Sequence, residues 1–528
     1  MKAKLLRLFL VLLLIIIMVT GYVVVSGNTV YPIKTTKTLT YWCVFPVPST
    51  KHGTTFADIP LYKEIEKKTG VKVKFYHPPI GQEREQLNLM IASGDLPDII
   101  EYNWLNQFPG GPEKALKDGI ITPLNDLINN NAPNLKRVLA ANPDVDKMVK
   151  TDAGKYYVFP FLRLDDVLLT YIGTMVRKDW LDDCGLPVPT TIDEWYVTLK
   201  AFKEKKNAEA PLVLPGSTNN TMQAIKNTGA FIGAYGIKYD FYLENGKVKY
   251  GPIEPAFKDF LVTMNKWYQE GLLDQDFGVT DRKGGDAKML SDRAGALVGW
   301  AGGDMGKYLD AAEKNTGSRF DLVGAPYPTL KKGEKPKFGH RTANYPGGFA
   351  AAISGRSKNK ELAAKYLDFA FSEEGHMLMN FGIEGVSYRV EKGYPKYTDY
   401  ITNNAQLTKS EAMGGYLRAS TSGPFVQDSR YFEQYQSRHQ QLNAIKTWTN
   451  SDEAKHMLPP ITATPEESST LAALMNDIDT YREEAVIKFI FGVEPLTNFD
   501  KYVDQMKKLG IEKAIKIQEE ALKRYYNR

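Results

Sequence analysis

The chain has 528 residues, 43% of them hydrophobic and 24% charged, which predicts two or more lobes and excludes bulk disorder and a coiled coil. The formal charge is +5, from 67 Lys and Arg against 62 Asp and Glu. Lys2, Lys4 and Arg7 supply three of those positives ahead of the first acid, Asp58, so no basic stripe is left for nucleic acid and no such partner is expected.

Residues 1–27 have a basic start and then an apolar run from Leu8 to Val25. That pattern reads as a signal peptide, with Val25-Ser26-Gly27 offering small residues for cleavage, or as a retained signal anchor with its basic end inside. Val19-Thr20-Gly21 is like the start of a lipoprotein box, but Tyr22 stands where the lipidated cysteine belongs. Both fates put the body on the extracellular face of the membrane or in the medium. Residues 28–36 read as a tether.

From Lys37 the signals alternate. Lys37–Phe45 is β-rich, and a helix capped by Asp58 runs to Lys68 and closes at Gly70. Val71–Tyr76 is a strand, Glu83–Ala92 a helix closing near Gly94, and Asp98–Tyr102 a short apolar strand. This β-α-β-α-β order predicts a parallel or mixed sheet covered by helices, with ligands in loops beyond the strand ends. Gly173–Arg177 reads as strand and Lys178–Cys184 as helix; Thr191 and Glu194 are spaced as a capping box. Strands follow at Leu212–Leu214 (ahead of a Gly-Ser-Thr-Asn-Asn loop), Ala294–Trp300, Leu322–Pro328 and Phe349–Ser354. Ala256–Gln269, Lys358–Phe371, with Ser357 as its cap, and Glu373–Asn380 read as helices, as does most of the last 60 residues. No repeat and no long linker occur, so the lobes interleave.

Catalytic motifs are few. The six histidines form no HExxH, and there is no phosphate-binding Gly loop and no GxSxG. Ser357-Lys358-Asn359-Lys360 fits SxxK, but its SDN companion is missing. Cys43 and Cys184, the two cysteines, lie far apart with no CxxC. A pair of carboxylates suited to glycoside hydrolysis has many candidates among 62 acids. Aromatics are the stronger signal: Trp42, Tyr102, Trp104, Trp300 and Tyr345 sit at or just after strand ends, near the polar Asn103, Asp304, Arg341 and Asn344. Sugar rings offer an apolar C–H face to such planes and hydroxyls to such polar groups. Arg163 and Arg341 would suit an acidic sugar or a salt bridge.

The chain resembles the bacterial extracellular solute-binding proteins of family 1, in their long Gram-positive branch. The resemblance rests on Lys68–Val73, Met90-Ile91-Ala92-Ser93-Gly94-Asp95-Leu96-Pro97-Asp98-Ile99-Ile100, Arg177-Lys178-Asp179-Trp180-Leu181-Asp182 with Gly185-Leu186-Pro187, Gly295–Trp300, Ser357–Ala364, Gly382–Tyr388 and Phe489–Asp500. It implies a two-lobe α/β fold of the maltose-binding kind with a ligand cleft between interleaved lobes. The expected division is 37–163 and 318–382 for the first lobe, and 164–317 and 383–528 for the second, with a helical extension. It further implies that Tyr102 and Trp104 stack ligand from the first lobe, that Trp300 is the second-lobe platform, and that Glu384 and Tyr388 lie near a third hinge crossing. The implied function is capture of an oligosaccharide and its delivery to ABC permease subunits, by a monomer, without catalysis and without a cofactor. Two rivals remain at this stage, a secreted glycan hydrolase or lyase and a surface glycan sensor. Many long-branch relatives carry a calcium loop after the helix that ends here in Ala201–Pro211; that stretch lacks spaced acids, so no metal is expected there.

Overall fold

The computed structural model describes residues 29–216 and 222–528. The signal segment 1–27, and most of the Gly-Ser-Thr-Asn-Asn loop, lie outside them.

Eight strands build two sheets: β1 (Thr38–Trp42), β2 (Lys72–Tyr76), β3 (Ile99–Tyr102), β4 (Ile172–Arg177), β5 (Ala210–Val213), β6 (Ala294–Trp300), β7 (Leu322–Gly324) and β8 (Ala350–Ile353). The first sheet has the order β8-β3-β1-β2, with β1 parallel to β2 and β3, and β8 antiparallel to β3. The second has the order β7-β4-β6-β5, and only β5–β6 is parallel. Every residue of β3, β4, β5 and β8 is buried, because helices cover both faces and leave no polar side to the strands.

Each sheet centres its own core. The first gathers Leu39, Ile65, Ile99, Ile100, Leu135, Phe159 and Ala350–Ile353. The second gathers Val176, Trp195, Phe202, Phe260 and Trp267, and a further cluster holds Met175, Leu297, Tyr308, Phe381 and Trp448. Helix 60–69 stops at Gly70, whose φ of 72° is the left-handed cap that a Cβ would strain.

Several expectations are corrected. Residues 318–340 belong with the second lobe, not the first: β7 pairs with β4, and Ala325 and Phe338 enter the second core. The chain returns to the first lobe only near Tyr345. Residues 383–528 are not wholly second lobe either, since Phe425 packs in the first core. The tail bridges the two. Its helices 465–491, 499–508 and 511–526 place Ile478, Phe489, Tyr502 and Ile511 in the second core. Arg524 and Arg528 reach across to Asp152 at 2.6 and 2.7 Å. The supposed tether is docked from Tyr31 onward, with Tyr31 Oη donating to Lys365 O and Ile33 N to Thr69 O, both at 2.7 Å.

Three caps also differ in detail: helix 60–69 starts after Ile59 with Pro60 in its first turn, and Asp58 closes a separate short turn before it. Ser357 Oγ donates to Asp98 Oδ1 at 2.6 Å, and Asn359 precedes helix 360–368 without a side-chain cap bond, its amide also donating to Asp98. Thr191 caps helix 192–206 and accepts from Glu194 N, but the Glu194 carboxylate returns to Thr190, one residue earlier than in a capping box. Cys43 and Cys184 are both free thiols, and burial pushes Cys43 up.

Candidate functional site

The cores are joined by segments that run side by side. Residues 163–171 leave the first lobe and residues 340–345 come back. Arg163 N donates to Asn344 O and Thr342 N to Leu169 O, each at 2.9 Å, and Thr170 Oγ1 to His340 O at 2.9 Å. A third stretch lies parallel: Val426 pairs with Leu162 and Gln427 with Arg163. Three adjacent crossings make a hinge, because a bend there costs only a few backbone angles.

A cavity of about 220 Å³ opens on this hinge. Arg163 and Tyr171 come from the first crossing, Arg282, Trp300, Gly302 and Gly303 from the second lobe, and Ala419–Thr421, Gln427, Tyr431 and Tyr435 from the 419–435 segment, where Ala419 and Tyr431 pack with the second sheet. The second-lobe wall is built at the end of β6. Trp300 leaves the strand, and a π-helical turn over Ala301–Gly306 follows. Asp304, 2% exposed, holds that corner: its Oδ2 accepts from Trp300 N at 2.8 Å and its Oδ1 from Arg282 Nε at 2.9 Å. The guanidinium of Arg282 lies over the Trp300 ring, 4.6 Å from its centre. A Cβ on Gly302 would meet the Tyr435 ring at 2.6 Å, so glycine there lets the two walls approach. Tyr431 and Tyr435, one turn apart on helix 429–435, stack at 5.7 Å.

Of the residues singled out from sequence, Arg163 and Trp300 line the cavity and Asp304 stands directly behind them. The others do not. Trp42, Tyr102, Trp104 and Tyr345 are 4%, 1%, 0% and 0% exposed and belong to the first core. Trp42 packs on Tyr102 and Tyr102 on Trp104; Tyr345 Oη meets Tyr157 Oη at 3.2 Å. Their rings fill the space over β1 and β3 and offer no face to a ligand. Arg341 is paired with Asp166 at 2.8 Å. Glu384 and Tyr388 line a separate surface hollow with Glu64, Lys68 and Glu374, close to where the chain passes from the first core at Met379 to the further cluster at Phe381 and Tyr388. Sequence reasoning missed Tyr171, Arg282, Ser420, Gln427, Tyr431 and Tyr435. Only the Tyr431–Tyr435 spacing, one helical turn, was a readable signal.

His340 sits within the hinge, fully enclosed, and its Nδ1 accepts from Tyr171 N at 3.3 Å. Burial, then the charges of Arg163 and Lys238, pull its imidazole down to about 3 from 6.5. The unfolded chain therefore binds a proton below pH 6.5 that the folded chain refuses, so stability falls as pH drops through that window. Asp368, raised to about 6 by burial, acts in the opposite sense, so the comparison must be with a variant. Against His340→Asn, the parent is expected to lose up to ~1.4 kcal/mol per pH unit below pH 6.5 in urea unfolding. Parallel curves for the two proteins would contradict this.

Among the described residues, no group of three or more His, Cys, Asp and Glu side chains could hold a metal ion. The turn after helix 192–206 is only Asn207–Glu209, with Glu209 paired to Arg293.

Two lobes on separate sheets, a hinge of adjacent crossings and an aromatic, hydrogen-bonding cavity above it define a ligand-binding protein of the two-lobe class. The chain belongs to the bacterial extracellular solute-binding proteins, whose family profile matches residues 52–377. It is 24% identical over 517 residues to the fructooligosaccharide ABC transporter substrate-binding protein FusA of Streptococcus pneumoniae serotype 4, covering 88% of this chain and 87% of that one. It is 24% identical over 480 residues to the polygalacturonan/rhamnogalacturonan-binding protein YtcQ of Bacillus subtilis, covering 87% of each. The crystal structure of the alginate-binding protein AlgQ2 without calcium superposes with a TM-score of 0.74 at 26% identity, over 93% of this chain and 99% of that one.

Proposed function

We propose that the protein captures an oligosaccharide outside the cell and hands it intact to ABC permease subunits, closing its lobes about the hinge on binding. The observation that carries this reading is the cavity lining. Trp300, Tyr171 and Tyr435 bring partly exposed rings to the lining, with Arg163, Gln427, Ser420 and Thr421 as its polar neighbours. That alternation matches a sugar ring, apolar on its faces and polar at its rim. Among the described residues no Asp or Glu lines the cavity, so the carboxylate pair of a glycoside hydrolase has no counterpart there. FusA, YtcQ and AlgQ2 carry names that say they bind carbohydrates, which supports the class of ligand. Ligand that touches Arg163, Trp300 and Tyr435 together stabilises the closed arrangement, a population shift. The protein acts as a monomer, held at the outer face of the membrane by residues 1–27 or released from it.

Thermal unfolding of residues 28–528 with a panel of neutral and acidic oligosaccharides tests this. A ligand that binds only the folded chain raises the transition by RT ln(1 + [L]/Kd) in free energy. We expect stabilisation by at least one sugar, recovered unshortened by chromatography. Shortened sugar would convert the protein to a hydrolase, and no shift across the panel would remove the carbohydrate assignment.

A further inference from the structure

We infer that the captured sugar carries a carboxylate, held at the hinge by the guanidinium of Arg163; this rests on the oligosaccharide reading above. Three arginines lie at or beside the cavity, and they are not equivalent. Arg282 is neutralised by Asp304, and Arg341 by Asp166. Arg163 has no carboxylate within ion-pair distance among the described residues. Its Nε donates to Gln427 Oε1 and its Nη1 to Tyr171 Oη, both at 3.1 Å, and its plane rests near Tyr171 and Phe161, 5.0 and 5.2 Å from the ring centres. Every partner is neutral.

A guanidinium has five N–H donors in a rigid fork, and two contacts leave most of them unused. It is only partly exposed, so water compensates its charge incompletely. Its neighbours hold it flat and oriented, which is how such a fork is readied for a planar carboxylate. Among the described residues no acid lines the cavity to offset it. Ser420 adds an independent observation: its hydroxyl, buried beside the same cavity, has no hydrogen-bond partner among the described residues. An unmade hydrogen bond in such a place is costly unless a ligand supplies it. A carboxylate on Arg163 with a ring hydroxyl near Ser420 meets both needs. The flanking Trp300 and Tyr435 suit a carboxylate borne by a ring, which makes the ligand class a uronate-containing oligosaccharide.

The test uses short oligogalacturonates and mannuronate–guluronate oligomers, the same oligogalacturonates after methyl esterification, and neutral fructo- and xylo-oligosaccharides. Affinities are read by calorimetry at pH 7. At least one acidic oligomer is expected to bind more than about tenfold more tightly than its ester or the neutral sugars, an advantage that shrinks with added salt. In Arg163→Gln the ratio of acid to ester affinity is expected to collapse to within about twofold, while Arg163→Lys, a point charge without the fork, keeps part of it. Should Arg163→Gln fail to fold, the ester comparison and the salt dependence in the parent protein decide alone. Neutral sugars or esters binding as tightly as the acids would overturn the inference and leave the proposed function standing. Binding of none of these sugars would overturn both.

Discussion

Trp300→Ala is expected to weaken sugar binding by more than tenfold while the protein stays folded. The indole closes β6, is half-buried, lies under the Arg282 guanidinium and lines the cavity. Its backbone is pinned by Asp304 and its approach to Tyr435 is set by Gly302. Truncation therefore removes the stacking plane of the second lobe and frees Arg282 from its platform. Central aromatic contacts of this kind cost about 2 kcal/mol or more when cut to alanine, and about 1.4 kcal/mol is a tenfold change. Because Trp300 only borders the second core, its loss leaves the fold in place. Calorimetry on the variant, with its urea midpoint as control, measures both effects; unchanged affinity would contradict the assignment of this wall.

The second large effect is on stability. Arg418 and Glu101 form an ion pair at 2.8 Å, each side chain 3% exposed, deep in the first lobe. Arg418 Nη1 also donates to Tyr62 Oη at 2.7 Å, and Tyr41 Oη donates to Glu101 Oε2 at 2.8 Å. The neighbouring carboxylate and phenols hold the guanidinium charged against its burial. Arg418→Met leaves Glu101 buried without a counter-charge, which costs about 3–5 kcal/mol. Arg418 also anchors the segment beside the cavity, its Nε donating to Thr421 Oγ1 at 3.3 Å and its Nη2 to Ser422 O. The variant should thus lose sugar affinity as well. Urea unfolding is the measurement, and Glu101→Leu combined with Arg418→Met is expected to recover part of the loss. A loss below about 1 kcal/mol in the single variant would contradict this role.

Much of the fold was legible because its signals are local. The strands at Lys72–Tyr76 and Ala294–Trp300, the helix over Lys178–Cys184 and the stop at Gly70 follow from periodicity and caps within a few residues. Trp300 was legible for the same reason, as an aromatic closing a small-residue strand. The first-lobe aromatics misled because a strand end does not say which way a side chain faces. β8, nearly all alanine, lies directly against β3, with Ala350 opposite Tyr102. Such small partners leave room that Trp42, Tyr102 and Trp104 fill from above. The lobe boundary at 318 failed because β7 joins its sheet by antiparallel pairing to β4, a contact across more than a hundred residues that local pattern cannot encode. Tyr431, Tyr435 and Ser420 reach the cavity only because the segment that carries them threads back along Leu162-Arg163.

The central claim is that ligand binds over the hinge, between the Trp300 corner and the 419–436 segment. Hydrogen exchange of residues 28–528, with and without the oligosaccharide that most stabilises the protein, tests it most directly. Simultaneous protection at 163–171, 300–306 and 419–436 is the predicted result, with residues 384–388 unchanged. Protection confined to one of those segments, or centred on 102–104 or 384–388, would contradict the account.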